Sequence, residues 1–511
     1  MSIIMNGRVI TTTDGEDDTV PGGSGGSSSS SSAFFGAMMG PAANVFTGTA
    51  GPNLIHGGAG DDTLDGGGGD DVLDGGLGSD LLMGGDGRDT VLYQRAEAGV
   101  FVDLGIGVGI SDGLDTLIGI ENVVGSAYDD TITGDAGINW LMGWGGNDLV
   151  IGNQGNDTLI GGQGNDTLVG GDGFDTASFG YATQGVTVNL AEGTAVGEGS
   201  DVLHGIEAVH GSAYGDFIRG DAGNNWFTGG AGNDTLVGGS GLDTASYADA
   251  HNGVSVNLAT GVATGNGTDS LSSIETVVGS AFDDVLTGNG GANGLIGGDG
   301  NDHISGGGGN DTMTGGDGND TLEGGDGFDV AYFGGADAGV FVNLAAGTAF
   351  GQGTDILHGV EGVSGSEHDD ILTGDDAANR LLGNGGDDLL LGGDGDDFLN
   401  GGEGADTLNG GGGRDILIGG EGADHFVIAA GTTFDQIRGF EHGVDVIELV
   451  GFGFADTSQV EDLLRAWQDT TVLRLSADDV LQITGLSPEE MSAADFVISP
   501  FDPSDLFAGL A

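Results

Sequence analysis

The chain has 511 residues, 114 of them Gly and only 6% aromatic, and a formal net charge of −71 from 80 acidic against nine basic residues. All nine basic residues are Arg, so no phosphate-loop lysine exists, and the absence of Cys removes disulfides and thiolate zinc sites. Ordering each Gly costs about 0.5–1 kcal/mol more than ordering Ala, and carboxylates at this density repel one another. Both facts call for a stabiliser from outside the chain, for which multivalent cations are the natural class. Nucleic acid and anionic membrane surfaces are disfavoured as partners, because both require positive charge.

No run of 18 apolar residues is present, so no membrane span is expected. The start, MSIIMNGRVITTTDGEDD, lacks the layout of a cleavable signal peptide. Residues 1–47 read as an N-terminal extension: a polar start, a Gly/Ser linker over 22–32, and a short apolar segment around Phe34, Phe35, Met38 and Met39. A formal GxSxG match at Gly22, Ser24 and Gly26 sits in low-complexity sequence without a strand-to-helix context, and reads as coincidence.

From Gly48 to Val427 a nine-residue unit recurs, shown by GNQGNDTLI, GGQGNDTLV and GGDGFDTAS over 152–178. It fills five blocks, 48–92, 125–178, 211–246, 279–332 and 365–427, with 28 units in all. Position 1 is Gly and position 8 apolar in all 28, while position 6 is Asp in 23 and Asn in five. Glycines and the aspartate make a turn, and positions 7–9 make a very short strand whose middle residue faces a core.

The position-6 aspartates are the candidate metal ligands. They are Asp62, Asp71, Asp80 and Asp89 in the first block, and Asp130, Asp148, Asp157, Asp166 and Asp175 in the second. The third block has Asp216, Asp234 and Asp243, and the fourth Asp284, Asp302, Asp311, Asp320 and Asp329. The fifth has Asp370, Asp388, Asp397, Asp406, Asp415 and Asp424. Asn53 opens the first block, and Asn139, Asn225, Asn293 and Asn379 each take the second unit of a later one, so a carboxylate-poor turn has a regular structural place. A neutral amide there is expected to weaken cation binding without abolishing it.

Inserts of 32 residues, 93–124, 179–210, 247–278 and 333–364, separate the blocks. Each has an alternating strand, such as Val186, Val188 and Leu190, a Gly-rich turn, and then Asp, Leu, Ile or Val, Glu and Val at fixed spacing, as in Asp201, Leu203, Ile206, Glu207 and Val209. The pairs Asp115 and Glu121, Asp201 and Glu207, Asp269 and Glu275, and Asp355 and Glu361 read as turn-capping or solvated carboxylates ahead of extra cation ligands. Block starts from Gly125 on are spaced by 86, 68 and 86 residues, a difference of two units. Two units per coil explains this, since deleting one alone would put the chain on the wrong face.

Beyond Val427 the glycine period stops. Residues 428–511 read as a C-terminal cap, strand-like over 434–450, helix-like over 459–468, and strand-like again over 471–475 and 480–483. A cap has a physical reason, because an open solenoid end presents unpaired strand edges.

Calcium takes six to eight oxygen ligands and tolerates irregular geometry. Left-handed glycines turn carbonyls inward, the aspartate adds a carboxylate, and turns stacked one strand spacing apart, about 4.7–4.9 Å, can share an ion. The 28-fold G-G-x-G-x-D-x-U-x pattern resembles the RTX, or haemolysin-type, calcium-binding repeats of bacterial proteins secreted by type I systems. That resemblance implies an all-β, right-handed parallel β-roll solenoid holding multiple Ca2+ ions, folding after export, and an uncleaved C-terminal secretion signal. The block design is similar to the repeat region of the adenylate cyclase toxin family, and residues 425–449 to the end of the serralysin repeat domain.

Departures narrow the function. There is no Lys for toxin acylation and no long hydrophobic pore region, none of the nine His begins an HExxH, and 47 residues before the repeats cannot hold a catalytic domain. Recurrent GxGxxG matches are by-products of the repeat. The expectation is a secreted, non-enzymatic calcium-binding protein at or outside the cell surface, in a matrix, surface-layer or adhesive role. Its expected partners are calcium, the type I secretion machinery, and cell-surface glycans or itself. The alternatives are a polysaccharide-acting enzyme using insert carboxylates such as Asp201 and Glu207, or a toxin-like effector.

Overall fold

A triplet with one buried side chain cannot stand as a strand by itself; it needs neighbours above and below. The computed structural model describes residues 42–467 and 470–499, with the backbone of Ser2–Met5, Arg8–Thr11 and Phe35–Met38. The Gly/Ser linker and residues 500–511, the end of the expected secretion signal, lie outside the described residues.

Within a block each triplet pairs in parallel with the triplet 18 residues away: Leu149↔Thr167 and Val150↔Leu168 on one sheet, Thr158↔Thr176 and Leu159↔Ala177 on the other. One coil is therefore two nonapeptides, one strand in each of two facing sheets, and the molecule is a parallel β-roll solenoid. The stacking begins N-terminal to the first full repeat, with Val45↔Thr63 on one sheet and Phe35↔Asn53 on the other. All 28 position-8 side chains point between the sheets and are at most 1% exposed, from Ile55 and Leu64 to Leu417 and Phe426. Burying such a side chain stabilises by roughly 1.5–3 kcal/mol, so the core is one continuous ladder along the axis.

Each insert adds three strands to one sheet and a single strand to the other. Phe101–Asp103, Val108–Ile110 and Leu114–Ile118 form an antiparallel meander folded back on itself. Its last strand pairs with Leu81–Asp86 and its first with the later Thr131–Thr133. On the opposite sheet Thr90–Leu92 pairs directly with Asn122–Val124. The other three inserts repeat this arrangement. Among the described residues one sheet has 29 strands and the other 23. The first residue of three inserts, Tyr93, Tyr247 and Phe333, fills the core at the added strands, and Phe179 of the second packs against it partly buried. A Cβ on Gly109, in the middle strand of the first meander, would strike the Tyr93 hydroxyl.

The C-terminal region continues both sheets, with Phe434–Arg438 and Val480–Thr484 on one and Val446–Val450 and Phe496–Ser499 on the other. The helix expected over 459–468 is only the single turn Ser458–Glu461, with Val460 buried. Leu464–Ala466, inside the expected helix, is instead a strand antiparallel to Thr471–Leu473. Pairing at a sheet edge overrides a local helical period here, because the edge supplies backbone partners a short exposed helix lacks.

Candidate metal centre

The turns between triplets carry the chemistry. All 23 position-6 aspartates are buried, none more than 4% exposed. They stack in two columns, one along each side of the roll: Asp157 N donates to Asp175 Oδ1 and Asp148 N to Asp166 Oδ1, both at 2.8 Å. One carboxylate oxygen is thereby used to cap the amide of the preceding coil.

The second oxygen divides the aspartates. In 19 of the 23, all but Asp130, Asp216, Asp284 and Asp370, Oδ2 is buried without a hydrogen-bond partner. Each such turn has left-handed backbone at positions 2 and 4, as at Asn153 (φ 81°) and Gly155 (φ 109°) beside Asp157. A Cβ on Gly152 would land on Asp157 Oδ2 and within 2.7 Å of the Gly170 carbonyl of the next coil. Position 1 must be Gly in every turn, because the position-6 side-chain oxygen and a carbonyl of the next coil fill the space a Cβ would take, as at Gly211 beside Asp216.

An unpartnered buried carboxylate oxygen is costly unless a cation meets it. Among the described residues no Arg or His forms an ion pair with any of the 23 aspartates. Burial, reinforced by repulsion between stacked carboxylates, pushes Asp148 and Asp234 up to about 7 and Asp388 to about 8. Among the described residues no three His, Asp or Glu side chains converge, so backbone carbonyls must supply much of any coordination shell. Hard oxygen donors, few carboxylates and flexible geometry fit Ca2+ and do not fit a His- or Cys-demanding metal.

The insert carboxylates turn out to be caps continuing the two columns. Asp201 Oδ1 accepts from Asp166 N at 3.1 Å and Glu207 Oε2 from Asp175 N at 2.9 Å. Asp115, Asp269 and Asp355 repeat the first contact, and Glu121, Glu275 and Glu361 the second. Each pair is split between the two sides of the roll, as capping groups should be. Sequence reasoning passed over the serines that follow the first Gly of four blocks, Ser126, Ser212, Ser280 and Ser366. Their amides donate to Oδ2 of Asp130, Asp216, Asp284 and Asp370 at 2.5–2.6 Å. The detectable signal was Ser in place of Gly at position 2.

A family model described as the RTX calcium-binding nonapeptide repeat (4 copies) matches in overlapping copies over 40–91, 115–177, 210–245, 269–331 and 364–426, more than half of the chain. Comparison with curated proteins gives no match. Among solved structures, the extracellular lipase LipA from Serratia marcescens aligns over 42% of this chain at 18% identity and a TM-score of 0.18. The alignment spans 40% of that lipase's length, and a similarity this low carries no argument about activity.

Proposed function

The chain belongs to the RTX calcium-binding nonapeptide repeat family, and on that premise we propose that it is a secreted, non-enzymatic protein whose acidic solenoid serves at or outside the cell surface as a matrix, surface-layer or adhesive component. Its repeats bind calcium, with Asp Oδ2 and glycine carbonyls of stacked turns as the holding groups. The bound ion supplies positive charge between oxygens that would otherwise repel. The observation that carries this reading is the set of 19 buried, unpartnered Oδ2 atoms, which leaves the metal-free roll with uncompensated carboxylates along both sides. Folding is therefore coupled to calcium, as it is wherever a site is not preformed in the unfolded chain.

The non-enzymatic reading is supported by the use of Asp201 and Glu207 as amide caps, which occupies the carboxylates an acid–base pair would need. Extracellular calcium modules work at roughly 10⁻⁴–10⁻³ M, and that range is expected here. Circular dichroism of the full chain at pH 8 in chelator and in millimolar calcium tests the coupling: at that pH β-structure is expected only with calcium. A chain equally β-rich in chelator overturns it. Turnover of glycans by the calcium-loaded protein would overturn the non-enzymatic part alone.

A further inference from the structure

The 28 turns fall into two kinds, and the kind is set by position in the block. In the first unit of the four later blocks Ser closes the turn: Ser212 N donates to Asp216 Oδ2 at 2.6 Å and Ser212 Oγ to Asp216 Oδ1 at 2.7 Å. Both carboxylate oxygens are thereby engaged.

In the second unit Asn does the same on the opposite side. Asp221 N donates to Asn225 Oδ1 at 2.8 Å, and Asn225 Nδ2 donates to the Glu207 carbonyl at 3.4 Å. The tighter example is Asn139, whose Nδ2 reaches the Glu121 carbonyl at 3.0 Å. The amide N–H stands where a cation would supply positive charge. In the opening unit of the first block, Thr49 N donates to Asn53 Oδ1 at 2.6 Å. None of these nine turns has left-handed backbone at position 2 or 4, whereas all 19 with an unpartnered Oδ2 do at both. Backbone conformation and polar satisfaction divide the turns at the same place, because the position-2 amide reaches the position-6 side chain only where position 2 is not left-handed.

We infer that this chain holds calcium at 19 turns only, and that the coil opening each of the four later blocks is closed by its own Ser and Asn side chains and takes no ion. The inference rests on the calcium reading above and sharpens it. The calcium rows on the two sides are interrupted together after every insert. No row exceeds three consecutive turns, the longest being Asp388, Asp406 and Asp424. Each insert with its closed coil is thus a metal-independent joint between calcium-dependent sections.

Native mass spectrometry of the full calcium-loaded chain, with folding checked by circular dichroism, counts the ions. Wild type is expected to saturate at no more than 19 ions, and a specific count of 20 or more overturns the inference. Asp234→Asn, in an open turn, is expected to lose one ion, while Asp216→Asn, in a closed one, keeps the wild-type count. Equal losses in the two variants overturn it. Ser212→Gly with Tyr214→Gly restores glycine at positions 2 and 4 and is expected to gain one ion. If that double variant does not fold, the two Asp→Asn variants still decide. A wild-type chain binding no calcium at all would instead sink the calcium reading itself.

Discussion

Replacing Gly152 by Ala tests whether the turn at Asp157 is a real site. The backbone at Gly152 is not left-handed, so the substitution costs nothing in φ. What the methyl meets is fixed oxygen: Asp157 Oδ2 and, at 2.7 Å, the carbonyl of Gly170. The carbonyl is backbone, and the Asp157 carboxylate is held through Oδ1 by Asn139 N at 2.8 Å, so overpacking of about 1–3 kcal/mol is expected. A methyl that displaces Asp157 Oδ2 also displaces a ligand of the proposed ion. With a Kd of roughly 10⁻⁴–10⁻³ M and calcium at about 10 mM, losing one ion removes a further ~1.4–2.7 kcal/mol. The combined loss, about 2.5–5.5 kcal/mol, falls mainly on the second block, because coils in a solenoid contact only their neighbours. Trp140 and Trp144 lie in that block, so a calcium titration followed by tryptophan emission reads it, with Gly290→Ala as control. A Cβ at Gly290 meets nothing within 4 Å, and a compatible Gly→Ala change stabilises by about 0.4–1 kcal/mol. A Gly152→Ala protein with wild-type midpoint and calcium count would refute the site.

Acid should partly replace calcium. Aspartates raised to about 7 or 8, such as Asp148, Asp234 and Asp388, hold more protons folded than unfolded from about pH 4 upward. In chelator, stability is therefore greatest below that range and is lost as pH rises through 7–8, so far-UV circular dichroism should gain β-signal from pH 8 to pH 5; an opposite trend would contradict the assignment. Leu159→Ala, at a fully buried position-8 site, should cost about 2–5 kcal/mol, whereas outward-facing Thr158→Ala should stay within about 0.5 kcal/mol. Hydrogen exchange should place the Leu159 effect in the adjoining coils, and a rod that loosens uniformly would count against nearest-neighbour stacking. Glu207→Ala strips the cap from Asp175 N and should cost about 1–3 kcal/mol for the exposed buried donor, read as faster exchange of that amide at unchanged calcium count.

The repeat itself was legible because each nonapeptide states its geometry locally. Glycine at position 1, Asp157 at position 6 and Leu159 at position 8 predict a turn, a ligand and a core residue, and the spacing of 86, 68 and 86 predicts two units per coil. What the pattern hid was conveyed by single substitutions within it. Ser212 for Gly at position 2 looks like drift in a repeat, yet it redirects an amide onto Asp216. The middle strand Thr194–Val196 was illegible for another reason: three residues carry no period, and only its partners on either side define it. Likewise Leu464–Ala466 follows a helical period in sequence but is claimed by Thr471–Leu473 across the chain.

The unequal strand numbers have a mechanical outcome. Each insert adds two more strands to one sheet than to its partner, lengthening that side by about 10 Å at the usual spacing. A face that grows while the opposite face does not must fan or bulge, so a bow toward the shorter sheet is the expected outcome at each of the four inserts. Those places are the self-closed joints. Calcium would stiffen the arc's segments while leaving its bends to side chains, so that the curvature presented to a surface is written in protein and its rigidity in salt.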